Sequence, residues 1–131
     1  MPIDRRKFLE SLGAVALVSM LADAEEGNDM WGMIAKITVL PGKREEMIGV
    51  LKSSAANMPG CFSYVVAKDA ADENMLWVTE VWDSQASHDA SLSLPAVKEA
   101  ITRGKALVAN FDRVAVTAPV WGVGLPSGHG T

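Results

Sequence analysis

The stretch Met75-Leu76-Trp77-Val78-Thr79-Glu80-Val81-Trp82 decides the fold. Large apolar residues occupy both of its alternating faces, and it reads as a strand. Before it, Lys68 to Asn74 is a polar turn of the kind that closes a hairpin, and Cys61 to Ala67 is the partner strand. After it, Asp83-Ser84 supplies the N-cap of a helix through about Leu92. Pro95 restarts a helix at its first turn, and the spacing carries this helix to about Ala109 with Val97, Ile101 and Val108 on one side. Arg113 to Val120 is expected as the last strand. Upstream, Trp31 to Leu40 is a strand ended by Pro41-Gly42, with Lys36 and Thr38 on the face opposite Ile37 and Val39. Lys43 to Asn57 then places Met47, Ile48, Leu51 and Ala55 at helical spacing until Pro59-Gly60 breaks the run.

The resulting order, β-α-β-β-α-β, is the ferredoxin-like split motif, an α+β fold with a four-stranded antiparallel sheet. Helices cover only one face of such a sheet. A bare second face would show clean polar alternation, yet Met33 and Ile34 are neighbours on the first strand, and Leu76 and Trp77 on the third. Burial against a second copy accounts for the excess, so a homodimer through the sheet face, a dimeric α/β barrel, is expected. The Gly/Pro-rich tail from Gly122 onward is expected to be mobile or draped over a neighbour.

With 131 residues, 49% hydrophobic and 21% charged, the chain suits one globular domain, placed at residues 30–125 with a tail over 126–131. The net charge of −4 and the absence of a basic run argue against nucleic acid as a partner. Cys61 is the sole cysteine, which excludes an intramolecular disulfide and a multi-cysteine metal site, and its place beside Phe62 suggests a buried structural thiol. The histidines, His88 and His129, do not stand at a metal-binding spacing, so no metal is expected. No Gly-rich phosphate or dinucleotide loop is present, and no cofactor is expected.

Residues 1–29 read as a leader and linker. Asp4-Arg5-Arg6-Lys7-Phe8-Leu9-Glu10 resembles a twin-arginine export signal, Leu12 to Ala22 is a short charge-free run, and Ala22-Asp23-Ala24 offers a small-x-small cleavage site. The run is too short to span a bilayer, so stable membrane insertion is not expected. Periplasmic or exported localisation follows. The alternative is a retained amphipathic arm, capped by Asp4, on a cytoplasmic protein.

Particular segments narrow the function. Leu40-Pro41-Gly42-Lys43 after the first strand, and Thr79-Glu80-Val81-Trp82-Asp83-Ser84, resemble the "strand, Pro-Gly-Lys" and "Glu-x-Trp-x-Ser" signatures of the antibiotic biosynthesis monooxygenase domain family. His88-Asp89-Ala90-Ser91-Leu92-Ser93-Leu94-Pro95 and the ending Thr117-Ala118-Pro119-Val120 look like its quinol monooxygenase subgroup. The resemblance implies oxygenation of a quinol or polycyclic phenol by O₂ without flavin, haem or metal. Deprotonating such a substrate makes an anion able to reduce O₂ directly, and the protein supplies a dry aromatic pocket, a base and orientation. Ser91 stands where many members carry histidine, and His88 lies one helical turn earlier.

His88 is the candidate base, histidine being the side chain that exchanges protons near neutrality; a solvated histidine at a helix start is the plain alternative. Glu80, mid-strand, must be paired if buried, either as orienter of a base or holder of a substrate hydroxyl, or in a structural pair with Lys36 or Arg113. Trp77 and Trp82 point to opposite faces; Trp82 shares its face with Glu80 and is the candidate pocket wall, with core packing as the alternative. Tyr64 and Ser91 complete the candidate substrate-binding set, and Tyr64 equally suits a core or interface. Two other functions fit the same fold: a non-catalytic dimeric module that binds a small apolar ligand, and an isomerase of the muconolactone-isomerase type.

Overall fold

A computed structural model describes residues 29–126. The elements are β1 (Trp31–Val39), α1 (Arg44–Ser54), β2 (Cys61–Lys68), β3 (Met75–Trp82), α2 (Gln85–Ser91), α3 (Pro95–Lys105) and β4 (Val108–Thr117). The strands form one antiparallel sheet in the order β2-β3-β1-β4, which is the split βαβ arrangement.

Alternation along the two central strands sets the layers. On β1, Trp31, Met33, Ala35, Ile37 and Val39 are buried, while Ile34, Lys36 and Thr38 turn to the other face and are half-buried. The register sets Trp31 opposite Trp82, Met33 opposite Glu80 and Ile37 opposite Leu76, so the buried rows of β1 and β3 share one side. Helix α1 adds Met47 and Val50 to that side, and α3 adds Val97 and Ala100. Enclosed side chains such as Leu76 and Val50 each contribute roughly 1.5–3 kcal/mol.

The turns follow from composition. Gly42 takes φ +78 after Pro41 and turns the chain from β1 towards α1. In the hairpin between β2 and β3, the Asp69 carboxylate accepts from the backbone N–H groups of Ala71 and Asp72 and from Trp77 Nε1 at 2.8 Å. These bonds, the Trp77 indole first, hold the Asp69 carboxyl below its ordinary pKa.

Three sequence expectations shift. Helix α3 stops at Lys105 rather than near Ala109, because Gly104 closes it: the N–H of Leu107 donates to the Gly104 carbonyl at 2.9 Å, and the N–H of Leu40 donates to the Leu107 carbonyl. Val108 therefore belongs to β4, paired with Val39, so β4 begins before Arg113 and ends at Thr117 rather than Val120. The buried stripe of α3 is Val97, Ala100 and Gly104, at i, i+3 and i+7, while Ile101, at the edge of that stripe, is 44% exposed. The export signal over Asp4–Ala24 and the tail beyond residue 126, with His129, lie outside the described residues. Among the described residues no helix is long and apolar enough to cross a membrane.

Candidate active site

Glu80, Trp82, His88 and Trp31 form a cluster between the sheet and α2. Strand β3 delivers Glu80 and Trp82 to the helix-covered side, where they are 7% and 1% exposed, and Trp82 Nε1 donates to Glu80 Oε1 at 2.9 Å. Helix α2 delivers His88. Its start is fixed by Ser84, whose hydroxyl accepts from the Ser87 N–H, and by Gly60, whose carbonyl accepts from the Asp83 N–H at 2.8 Å. Gly60 has φ +86, and a Cβ there would stand 2.6 Å from Ser87 Cβ, so only glycine lets the β2 entry approach the helix this closely.

His88 is 6% exposed rather than solvated. Its ring lies 4.5 Å from the Trp31 ring and 5.4 Å, edge-on, from the Trp82 ring, and Nδ1 faces Asp89 Oδ1 at 3.1 Å. An imidazole walled by two indoles and held at one nitrogen by a carboxylate keeps its other nitrogen for a ligand or proton. Ser91, one turn further on, is buried and donates its hydroxyl to the His88 carbonyl. Tyr64 sits on β2 directly across from Glu80.

Electrostatics distinguish the groups. Burial pushes the Glu80 carboxyl above its ordinary value, against the pull of the Trp82 N–H and the positive fields of His88 and Arg113. The Tyr64 phenol is raised well above its usual range, first by burial and then by Glu80, so it stays a neutral donor. Arg113, opposite Ala35 on β4, lies with its guanidinium carbon 5.8 Å from the Trp31 ring centre. Burial lowers its pKa while Glu80 and Asp89 raise it. Of the two structural partners the sequence offers Glu80, Lys36 is on the other face, 5.9 Å from the Trp77 ring, and Arg113 shares the cluster through its charge.

Cys61 is half-buried; its thiol donates to the Ser63 carbonyl, and burial raises its pKa, the environment of an inert thiol. An open depression of about 350 Å³ is lined by Ala55 to Met58 and Cys61 to Tyr64, and His88 is not among its lining residues. Among the described residues no three His, Cys, Asp or Glu side chains gather as a metal set. Sequence reasoning missed Trp31 as a wall of the site. Its signal was available, since Trp31 heads the strand whose buried row contains Met33 and Ile37.

The sequence profile of antibiotic biosynthesis monooxygenases matches residues 30–103, and the chain belongs to that family. A solved structure from Chloroflexus aurantiacus, provisionally assigned as an antibiotic biosynthesis monooxygenase, is 50% identical, with 71% of this chain and 95% of that chain covered at a TM-score of 0.69. A protein of the same provisional assignment from Caulobacter crescentus is 21% identical over 76% of this chain and 98% of that one, TM-score 0.64, and shares the fold. A Pseudomonas aeruginosa structure, 21% identical over 71% and 96% of the two chains, does likewise at 0.63. No curated protein matches the sequence.

Proposed function

We propose that the chain is a monooxygenase that uses O₂ on a quinol or polycyclic phenol. The observation that carries this reading is the buried His88 between Trp31 and Trp82, beside a Glu80 carboxyl whose proton affinity is raised by burial. The two indoles wall the imidazole and keep bulk water from it. His88, oriented by Asp89, takes the hydroxyl proton, Glu80 bonded to Trp82 steadies the positive charge that results, and the substrate anion reduces O₂. Tyr64, across the sheet from Glu80, and Ser91, bonded to the His88 carbonyl, are the further substrate-binding candidates.

An oxygen electrode with a panel of quinols tests the reading. His88→Ala lowers O₂ uptake by about a hundredfold or more, the scale of a lost general base, while quinol affinity is retained. Uptake no faster than spontaneous autoxidation across the panel removes the oxygenase and leaves the ligand-binding module and the isomerase.

The working unit is a homodimer. Ile34, Val65, Trp77 and Val81 lie on the sheet face that no helix covers, Val65 being 53% exposed, and Val120, Trp121 and Val123 project beyond β4 at 76–92% exposure. A second copy placed on that face withdraws these residues from water. The twin-arginine-like leader supports export, and cell fractionation with N-terminal sequencing checks it: an intact Met1 or Pro2 start on cytoplasmic protein removes that part.

A further inference from the structure

Two N–H groups at the site have no acceptor. Trp31 Nε1 and Arg113 Nε are both shut off from solvent, and neither has a hydrogen-bond partner among the described residues. They belong to side chains in contact, the guanidinium lying 5.8 Å from the Trp31 ring centre, and Trp31 in turn stacks on His88. Native proteins leave few such donors unpaired, because burying an N–H forfeits its hydration with nothing in return. The nearest buried anion does not relieve them. Glu80 accepts from Trp82, and the ion pairs found among the described residues do not include Arg113.

We propose that Trp31 Nε1–H and Arg113 Nε–H bind the ionised hydroxyl oxygen of an aromatic substrate, so that the site selects phenols and enols through the anion they form. The assignment rests on the oxygenase reading above for what that anion does next. A ligand with only apolar surface leaves both donors unpaired, and a cation meets the guanidinium charge. A ring bearing an oxyanion satisfies both N–H groups. When the hydroxyl proton passes to His88, the electron pair stays on that oxygen, where a permanently charged guanidinium already stands.

The test is the binding of 4-nitrophenol to the full chain without O₂, followed through its phenolate absorption band, beside 4-nitroanisole, which has the same ring and no ionisable hydroxyl. Wild type is expected to bind 4-nitrophenol as the phenolate. Arg113→Met weakens this binding about tenfold or more and Trp31→Phe, which keeps an aromatic wall, about threefold to tenfold, as for lost charged and neutral bonds. Arg113→Lys, which keeps the charge and the fold, recovers only part of the loss. Neither substitution moves 4-nitroanisole by more than about twofold, the range of altered packing. The proposal is overturned if wild type does not bind the phenolate, if phenolate affinity ignores both residues, or if 4-nitroanisole affinity falls in parallel. Since binding is read without turnover, Arg113-dependent phenolate binding with no O₂ uptake upholds this assignment and removes the oxygenase reading alone. O₂ uptake with phenolate affinity indifferent to Trp31 and Arg113 does the reverse.

Discussion

Removing the Trp82–Glu80 hydrogen bond is expected to destabilise the fold and the site together. Trp82 is 1% exposed and its Nε1 lies 2.9 Å from Glu80 Oε1. Trp82→Phe loses part of an indole's packing, about 1–1.5 kcal/mol against the roughly 3–5 of a full truncation to alanine. It also loses a hydrogen bond to a charged acceptor, about 1.5–3 kcal/mol. The sum is about 2.5–4.5 kcal/mol, a drop in Tm of roughly 10 °C or more for a domain of this size. A double-mutant cycle separates the parts: Trp82→Phe, Glu80→Leu and the double variant, each unfolded in urea at one fixed protomer concentration so that any self-association is constant. The expected coupling is about 2 kcal/mol, since Trp82→Phe in the Glu80→Leu background removes packing and an unpaired N–H but no bond. Coupling below about 0.5 kcal/mol refutes the reasoning, and Trp82 is then core filling that happens to touch Glu80.

Other perturbations test separate parts of the structure. Because burial raises the Glu80 pKa, the folded chain holds this proton more tightly than the unfolded chain; the stability so gained is full below the unfolded carboxyl's pKa and is lost as pH rises through the folded value. Glu80→Gln should thus unfold like wild type near pH 4 or below and gain on it towards neutrality, and a constant difference across that range in thermal melts contradicts the burial. Gly60→Ala, with a Cβ driven against Ser87 and a φ of +86, should cost about 1–3 kcal/mol and lower activity by moving α2; unchanged Tm and turnover refute the close approach. Trp121→Asp places a charge on a 76% exposed side chain and should leave monomer stability within about 0.5 kcal/mol, yet shift sedimentation towards monomer; a dimer as tight as wild type excludes this arm from the interface.

Much of the fold was legible because it depends on local rules. Alternation divides Trp77 from Trp82 in any strand, Pro41-Gly42 and Pro59-Gly60 must break the chain, Ser84 caps α2 through its own hydroxyl, and Pro95 opens α3 where its missing N–H costs nothing. The end of α3 was less legible. Helical spacing continues through Val108, and it is pairing with Val39, a residue of the opposite end of the chain, that makes Val108 a strand.

The site divides in the same way. The sequence alone determined the order of elements, the shared face of Glu80 and Trp82, and His88 as a candidate base within a turn of the capped helix start. Only the tertiary structure decided that His88 is buried between two indoles, that Glu80 answers Trp82 rather than Lys36, and that Trp31 and Arg113 meet with their N–H groups unpaired. The physical reason is that spacing fixes which way a side chain points from its own strand or helix. Which side chains then meet depends on sheet register and on where α2 lands, and both are set by burial summed over the whole core.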